Sequence, residues 1–141
     1  MTNDLVVDAN VVIAAMGMGP EREASHALFA HWAKERRRLC APALCLYEVT
    51  STLCKSVRLG AMTPQEGLRM LALFEAMSIQ LMPPDPEQAR LAFEWTVRLK
   101  RAAAYDSFYL ALAQQLGCEL WTADRRLSAA ADVPWVKSPS D

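Results

Sequence analysis

Short apolar runs, each stopped by a polar or turn-forming residue, alternate along this chain with longer stretches whose apolar residues recur every three or four positions. "LVV" (5–7) has the pattern of a short buried strand ending at Asp8, and "NVVIAAM" (10–16) opens a helix directly after it. "MGMGP" (16–20) breaks that helix. The next stretch, "EREASHALFAHWAKERRR" (21–38), carries Ala24, Ala27, Leu28, Phe29 and Trp32 on a helical face. "RLCAP" (38–42) predicts a second strand stopped at Pro42, and "LCLYEVTSTLCKSVRL" (44–59) a helix with Gly60 as its C-terminal cap.

Two later helix starts are strongly marked. "TPQE" (63–66) offers Thr63 as cap, Pro64 at the first helical position and Glu66 to close a capping box; "DPEQ" (85–88) repeats the device with Asp85, Pro86 and Gln88. The helices that follow run to about Met77 and Lys100, with "IQLMP" (79–83) a strand between them. "DSFYLALAQQL" (106–116) is a helix closed by Gly117, "ELWT" (119–122) a strand, "RRLSAAA" (125–131) a short helix and "PWVK" (134–137) a last strand. Strands alternating with helices predict an α/β fold, with a mostly parallel, roughly five-stranded sheet covered on both faces. No repeat or linker interrupts the pattern, and 141 residues suit a single domain over 1–141. In such a sheet, ligands bind beyond the carboxyl ends of the strands.

Four acids converge on that edge. Asp8 follows the first strand directly, and Asp124 follows "ELWT" with one residue between. Glu48 lies early in the helix after "RLCAP", and Asp106 opens the helix leading into "ELWT", which must run antiparallel to the strands. Singly, each has a plainer explanation. Asp8, Asp106 and Asp124 stand where helix N-caps stand. Glu48 sits in an apolar stretch one turn after Leu44, where a carboxylate without a partner costs several kcal/mol or takes up a proton, unless a solvated groove reaches it. As a set, four gathered carboxylates repel, and caps do not explain them.

Charge sharpens the question. With 15 Lys+Arg against 16 Asp+Glu the net charge is −1, so a polyanion needs a local basic patch or bound cations. Mg²⁺ or Mn²⁺ prefers hard oxygen ligands, and in an acidic pocket it attracts phosphate and activates water for phosphodiester hydrolysis. Zinc is not suggested: His26 and His31 are five apart, the wrong spacing for one helix face, and the four cysteines contain no C-x-x-C pair. Buried reduced thiols fit the cytosol. No signal-peptide pattern and no run of 18 apolar residues is present, so a soluble, cytoplasmic protein with no membrane partner is expected.

The ordered set "VVDANVVIAA", "APALCLYEVTSTL" and "YDSFYLALAQQLGCELWTADRRL" resembles the PIN-domain family over essentially the whole chain, and within it the VapC-type toxins of bacterial toxin–antitoxin pairs. The resemblance implies one PIN-like three-layer α/β/α domain and an endoribonuclease dependent on Mg²⁺ or Mn²⁺. It implies that Asp8, Glu48, Asp106 and Asp124 form the catalytic metal site, with Glu48 holding metal or positioning the attacking water. Asn10 and Thr122 become supporting polar groups beside it. It further implies an RNA substrate, a homodimer, and a small cognate antitoxin that covers the acidic groove. The chain departs from the family in two places. Arg125 and Arg126 follow the last acid where many members carry a further polar or acidic residue, which weakens the case for a complete second metal site, and Ser107 stands where a small apolar residue is usual.

Backbone contacts to RNA are sought among Lys34, Arg36, Arg37, Arg38, Lys55, Arg58, Arg98, Lys100 and Arg101, with Arg125 and Arg126 the better candidates because they adjoin Asp124. The plainer reading of "KERRR" is a solvated helix end. Tyr and Trp side chains can stack on unpaired bases, while Trp95 and Trp121 suit the core. The helices at 44–59 and 63–77 are apolar over more than one narrow face, which points to protein contacts. Two rivals remain at this stage. One is a PIN-like module that only binds RNA or protein. The other is an Asp-nucleophile phosphatase, whose D-x-D opening "DAN" approaches but does not match.

Overall fold

The computed structural model describes residues 2–141. In chain order the elements are β1 (Asp4–Val7), α1 (Ala9–Ala15), α2 (Arg22–Lys34), β2 (Arg38–Pro42), α3 (Leu44–Arg58), α4 (Pro64–Ala76) and β3 (Gln80–Met82), then α5 (Pro86–Leu99), α6 (Tyr105–Leu116), β4 (Glu119–Trp121), α7 (Arg125–Ala131) and β5 (Val136–Lys137). The five strands form one sheet in the order β3-β2-β1-β4-β5, and every pairing is parallel.

Strand β1 is central, which explains its lack of alternation. Leu5, Val6 and Val7 are all fully buried, because a parallel strand with helices on both sides has no solvent face. The chain winds one way from β1 to β2 and β3, then returns to the other side of β1 for β4 and β5. Strand order thus reverses between β1 and β4, and their carboxyl ends flank the crevice. Val7 pairs with Trp121, and the Asp8 N–H extends the ladder to the Trp121 carbonyl at 2.9 Å. Asp8 and Thr122 therefore face each other just beyond the sheet.

Local signals acted largely as expected. Thr63 and Glu66 form the complete capping box of α4. Asp85 caps α5 through the Gln88 N–H at 2.7 Å, but the box is only half made. The Gln88 side chain instead donates to Gln115 at 3.3 Å, and Gln115 donates to Asp85 at 3.2 Å, tying α5 to α6. Ser107 meets the buried Thr96 hydroxyl at 2.8 Å, so its polar group has a structural partner away from the acids. Gly60 and Gly117 take the left-handed conformation that closes α3 and α6.

The run "KERRR" departs from expectation. Helix α2 stops at Lys34, Arg36 turns the chain at φ 54°, and Arg38 is already in β2. There its guanidinium pairs with Asp4 at 2.8 and 3.0 Å, while Arg37 donates to the Asn3 carbonyl at 3.2 Å. Pairing of β2 with β1 overrides the helical tendency of these residues, and it fixes them at the amino edge of the sheet. On α2 itself Ser25 rather than Ala27 faces inward. Cys54 is exposed while the other three cysteines are buried, and all four are free.

Replacing Leu120, wholly buried in β4, by Ala should cost about 2–5 kcal/mol of unfolding free energy. Thr63→Ala should cost only about 1 kcal/mol through the lost cap. Urea denaturation of the two variants checks both, and equal losses would contradict this division between core and surface.

Candidate active site

Asp8 occupies the N-cap position of α1 but makes no side-chain cap bond. Its carboxylate, only 4% exposed, accepts from the Thr122 hydroxyl at 2.9 Å. That hydroxyl also accepts from the Asp124 N–H at 3.0 Å and from the Asn10 amide at 3.4 Å, so one donor and two acceptor sites are filled. Asn10 in turn accepts from the Ala123 N–H at 3.0 Å. Asn10 and Thr122 thereby clasp the turn after β4 to the turn after β1.

Glu48, half-buried in α3, accepts from the Tyr109 hydroxyl at 2.6 Å. Tyr109 is fully buried on α6, and burial drives its phenol far above the usual range, so it stays a donor. Asp106 lies in the first turn of α6 without capping it and pairs with Arg101 at 3.0 Å. Burial pushes the Asp8 carboxyl up to about 7; the Thr122 bond opposes this, and the negative charges of Glu48 and then Asp106 add to it. Glu48 is raised as well, by burial first and then by Asp106.

Asp8, Glu48 and Asp106 therefore lie within one another's electric field. Asp124 joins them less directly. Its Oδ1 caps α7 through the Arg126 and Leu127 N–H groups at 3.0 and 3.1 Å, and Thr122 links its backbone to Asp8. Among the described residues no three acidic, His or Cys side chains form a closed ligand set. The donors are nonetheless the hard oxygens that Mg²⁺ and Mn²⁺ prefer, and the buried Asp8 has no cationic partner among the described residues. Arg101 is the only cation paired with any of them among the described residues.

Glu48 and Asp106 line a recess of about 440 Å³ together with Leu44, Tyr47, Ser51, Ala103 and Tyr105. Two larger cavities, about 600 and 510 Å³, include Arg37 and lie toward the amino edge, away from the acids. The basic candidates divide accordingly. Arg36, Arg37 and Arg38 are remote from the acids, and Lys55 and Arg58 lie in the last turn of α3. Arg125 and Arg126 are exposed beside Asp124, with no ion pair among the described residues. Sequence reading missed Tyr109 as the partner of Glu48. The available signal was its place three residues after Asp106 on one helix face, since a buried phenol needs a partner. It also treated Arg101 as an RNA contact, and no periodic pattern marks this residue as the partner of Asp106.

The family model of the PIN domain matches residues 5–133. The chain is 31% identical over 125 residues to Ribonuclease VapC9 of Mycobacterium tuberculosis, covering 88% of each chain. It is 33% identical over 125 residues to Ribonuclease VapC3 of Pyrobaculum aerophilum, covering 88% of this chain and 92% of that one. The fold is similar to the crystal structure of PAE2754 from Pyrobaculum aerophilum, with a TM-score of 0.73 at 24% identity over 97% of this chain and 84% of that one. It is also similar to VapBC2 from Rickettsia felis bound to a DNA fragment from their promoter, with a TM-score of 0.71 at 13% identity over 96% of each chain.

The raised Asp8 carboxyl has a thermodynamic consequence. Above the ordinary carboxyl range the unfolded chain loses a proton that the folded state keeps until about pH 7. The stability from this group is full below that ordinary range and is lost as pH rises through about 7. Asp8→Asn should therefore melt progressively higher than metal-free wild type as pH goes from about 5 to about 8, and Mg²⁺ should raise the wild-type Tm more at the higher pH. A gap between the two proteins that stays constant across this range would refute the placement of Asp8 among uncompensated charges.

Proposed function

The chain belongs to the PIN-domain family, and from that premise we propose that it is a metal-dependent endoribonuclease serving as the toxin of a toxin–antitoxin pair. The observation that carries the reading is the gathering of the buried Asp8 carboxyl with Glu48 and Asp106 at the reversal of strand order. Relatives of this size and similarity named as ribonucleases support the reaction class.

Asp8, Asp106 and Asp124 would hold Mg²⁺ or Mn²⁺, with Glu48 either completing that set or positioning the attacking water. Bound there, the ion supplies a polarised water and neutralises charge at the scissile phosphate. Tyr109 fixes Glu48 by bonding Oε1, and Oε2 carries no bond among the described residues. Thr122 fixes Asp8 in the same way, and Asn10 keeps the turn that presents Asp124. Arg125 and Arg126 contact RNA phosphates beside the site. Asn10, spent on Ala123, is not the second acid that an Asp-nucleophile phosphatase requires.

The partner surfaces follow the same logic. Several structural neighbours are described as toxin–antitoxin complexes, among them one from Klebsiella pneumoniae. Leu59 and Leu68 are about 70% exposed on the α3–α4 pair, an apolar surface suited to an antitoxin or to a second copy. The antitoxin covers the acidic groove and sets a basic side chain there, as Arg101 already sets a guanidinium against Asp106.

Purified protein should cut a fluorescent RNA panel with Mn²⁺ or Mg²⁺ and stop when the ion is chelated. Asp8→Asn and Asp106→Asn should abolish cutting while the fold is kept. Thr122→Val, which touches the reaction only through Asp8, should slow it by about 10–100-fold. Ligand variants that cut as fast as wild type would overturn the site assignment.

A further inference from the structure

We propose that Tyr47 and Tyr105 form a stacking platform that grips an unpaired RNA base beside the scissile phosphate. The inference rests on the ribonuclease reading above and names the substrate feature that the same cleft recognises.

The two tyrosines are exposed at 67% and 65%, which no core role explains for aromatic rings. Each immediately precedes a site acid in sequence, Tyr47 before Glu48 and Tyr105 before Asp106. Both line the recess that contains those acids. Both also line a second recess of about 260 Å³, whose other walls include Pro42, Leu44, Pro84 and Phe108. One compartment is therefore acidic and the next apolar, with Leu44 and the two phenols common to both. Neither phenol hydroxyl makes a hydrogen bond among the described residues, so nothing in the fold consumes the polar end of either ring.

A nucleotide has the same division. Its phosphate belongs with a cation on the acids, and its base has an apolar face and polar edges. A ring held by stacking needs an apolar, aromatic wall, and every base offers a π-face. The surroundings make such a grip necessary. Net charge is −1, the arginines at the amino edge are remote and Arg101 is engaged with Asp106, which leaves Arg125 and Arg126 as the unpaired cations beside the acids among the described residues, too few to hold the RNA by its backbone alone. Leu59, Leu68, Phe93 and Val97 are also exposed, but they line neither recess, so the tyrosines are set apart by continuity with the acids. Paired bases cannot reach such a platform without being unstacked, hence the preference for single strands.

Tyr47→Ala and Tyr105→Ala should each raise KM for a single-stranded oligoribonucleotide by about five- to a hundredfold with kcat within a few-fold, and Phe at either position should restore KM. Binding of the same labelled oligonucleotide, read by fluorescence anisotropy, should weaken in parallel, while residual binding of an RNA duplex should not change. Unchanged KM and binding in the Ala variants overturns the platform, and so does a rise in KM confined to conditions where sedimentation velocity shows a dimer coming apart. If wild-type protein cuts no RNA, the nuclease reading fails, and anisotropy on the same variants still decides whether the tyrosines hold a base.

Discussion

A carboxylate taken out of water must find positive charge, hydrogen bonds or a proton. Asp8 has one side-chain hydrogen bond and two negative neighbours, and its carboxyl is raised to about 7. Keeping it ionised above that pH costs on the order of 4 kcal/mol, a large share of the 5–15 kcal/mol that typically holds a domain together. The site is thus a region of stored electrostatic strain, tolerated because the surrounding apolar core carries the fold. Leu5, Val6, Val7, Leu110 and Leu120, all fully buried, lie in the elements that meet beneath the acids. On the functional reading above, a divalent cation relieves the strain, so affinity for the ion and stability of the apoprotein are opposed quantities.

Topology explains why the acids meet there. Strands β1 and β4 pair directly, yet 111 residues separate Asp4–Val7 from Glu119 onward, and the chain completes the β2–β3 half of the sheet between them. The reversal leaves an open crevice with two loop starts side by side. Thr122 uses that closeness: a single hydroxyl contacts Asp8 and Asn10 after β1 and the Asp124 N–H after β4, so two turns far apart in sequence share one small anchor. Tyr109 performs the corresponding task between α6 and α3. The acids are thereby oriented by neutral donors, which leaves their charge for something else to balance.

The legible parts of the sequence were those governed by local rules. Strand β2 matches "RLCAP" residue for residue, and Thr63, Pro64 and Glu66 act as their spacing predicts. The acids were placed on one edge by connectivity alone, because an α/β crossover leaves little freedom in where a helix must begin. What escaped was set by contacts between distant segments. "KERRR" reads as a solvated helix end, whereas α2 stops at Lys34 and Arg36 turns the chain at φ 54°, so that the Arg38 guanidinium reaches Asp4. The Asp124 carboxylate caps α7 while its backbone N–H bonds the Thr122 hydroxyl, a division that spacing cannot show. Arg101 lies just beyond the left-handed Lys100 that ends α5, and only the folded turn shows that its guanidinium reaches Asp106.

The two edges of the sheet differ in how their charge is used. At the amino edge Arg38 is matched with Asp4, and Arg37 is spent on a backbone carbonyl, so this side offers little to a phosphate chain. At the carboxyl edge the acids outnumber the cations near them, with only Arg101 engaged and Arg125 and Arg126 free of ion pairs among the described residues. Long-range attraction of a polyanion to such a surface is weak, because no extended positive field exists to steer it. Recognition must then be short-ranged. On the reading proposed above, a divalent ion would reverse the sign of the cleft locally, and the exposed rings of Tyr47 and Tyr105 would add contact that salt does not screen. With only Arg125 and Arg126 as the phosphate contacts proposed above, binding would release few counterions, and affinity would fall only modestly as salt rises. Its choice of substrate falls to what the cleft can touch directly: a phosphate that can approach the acids and a base that is free to leave its stack.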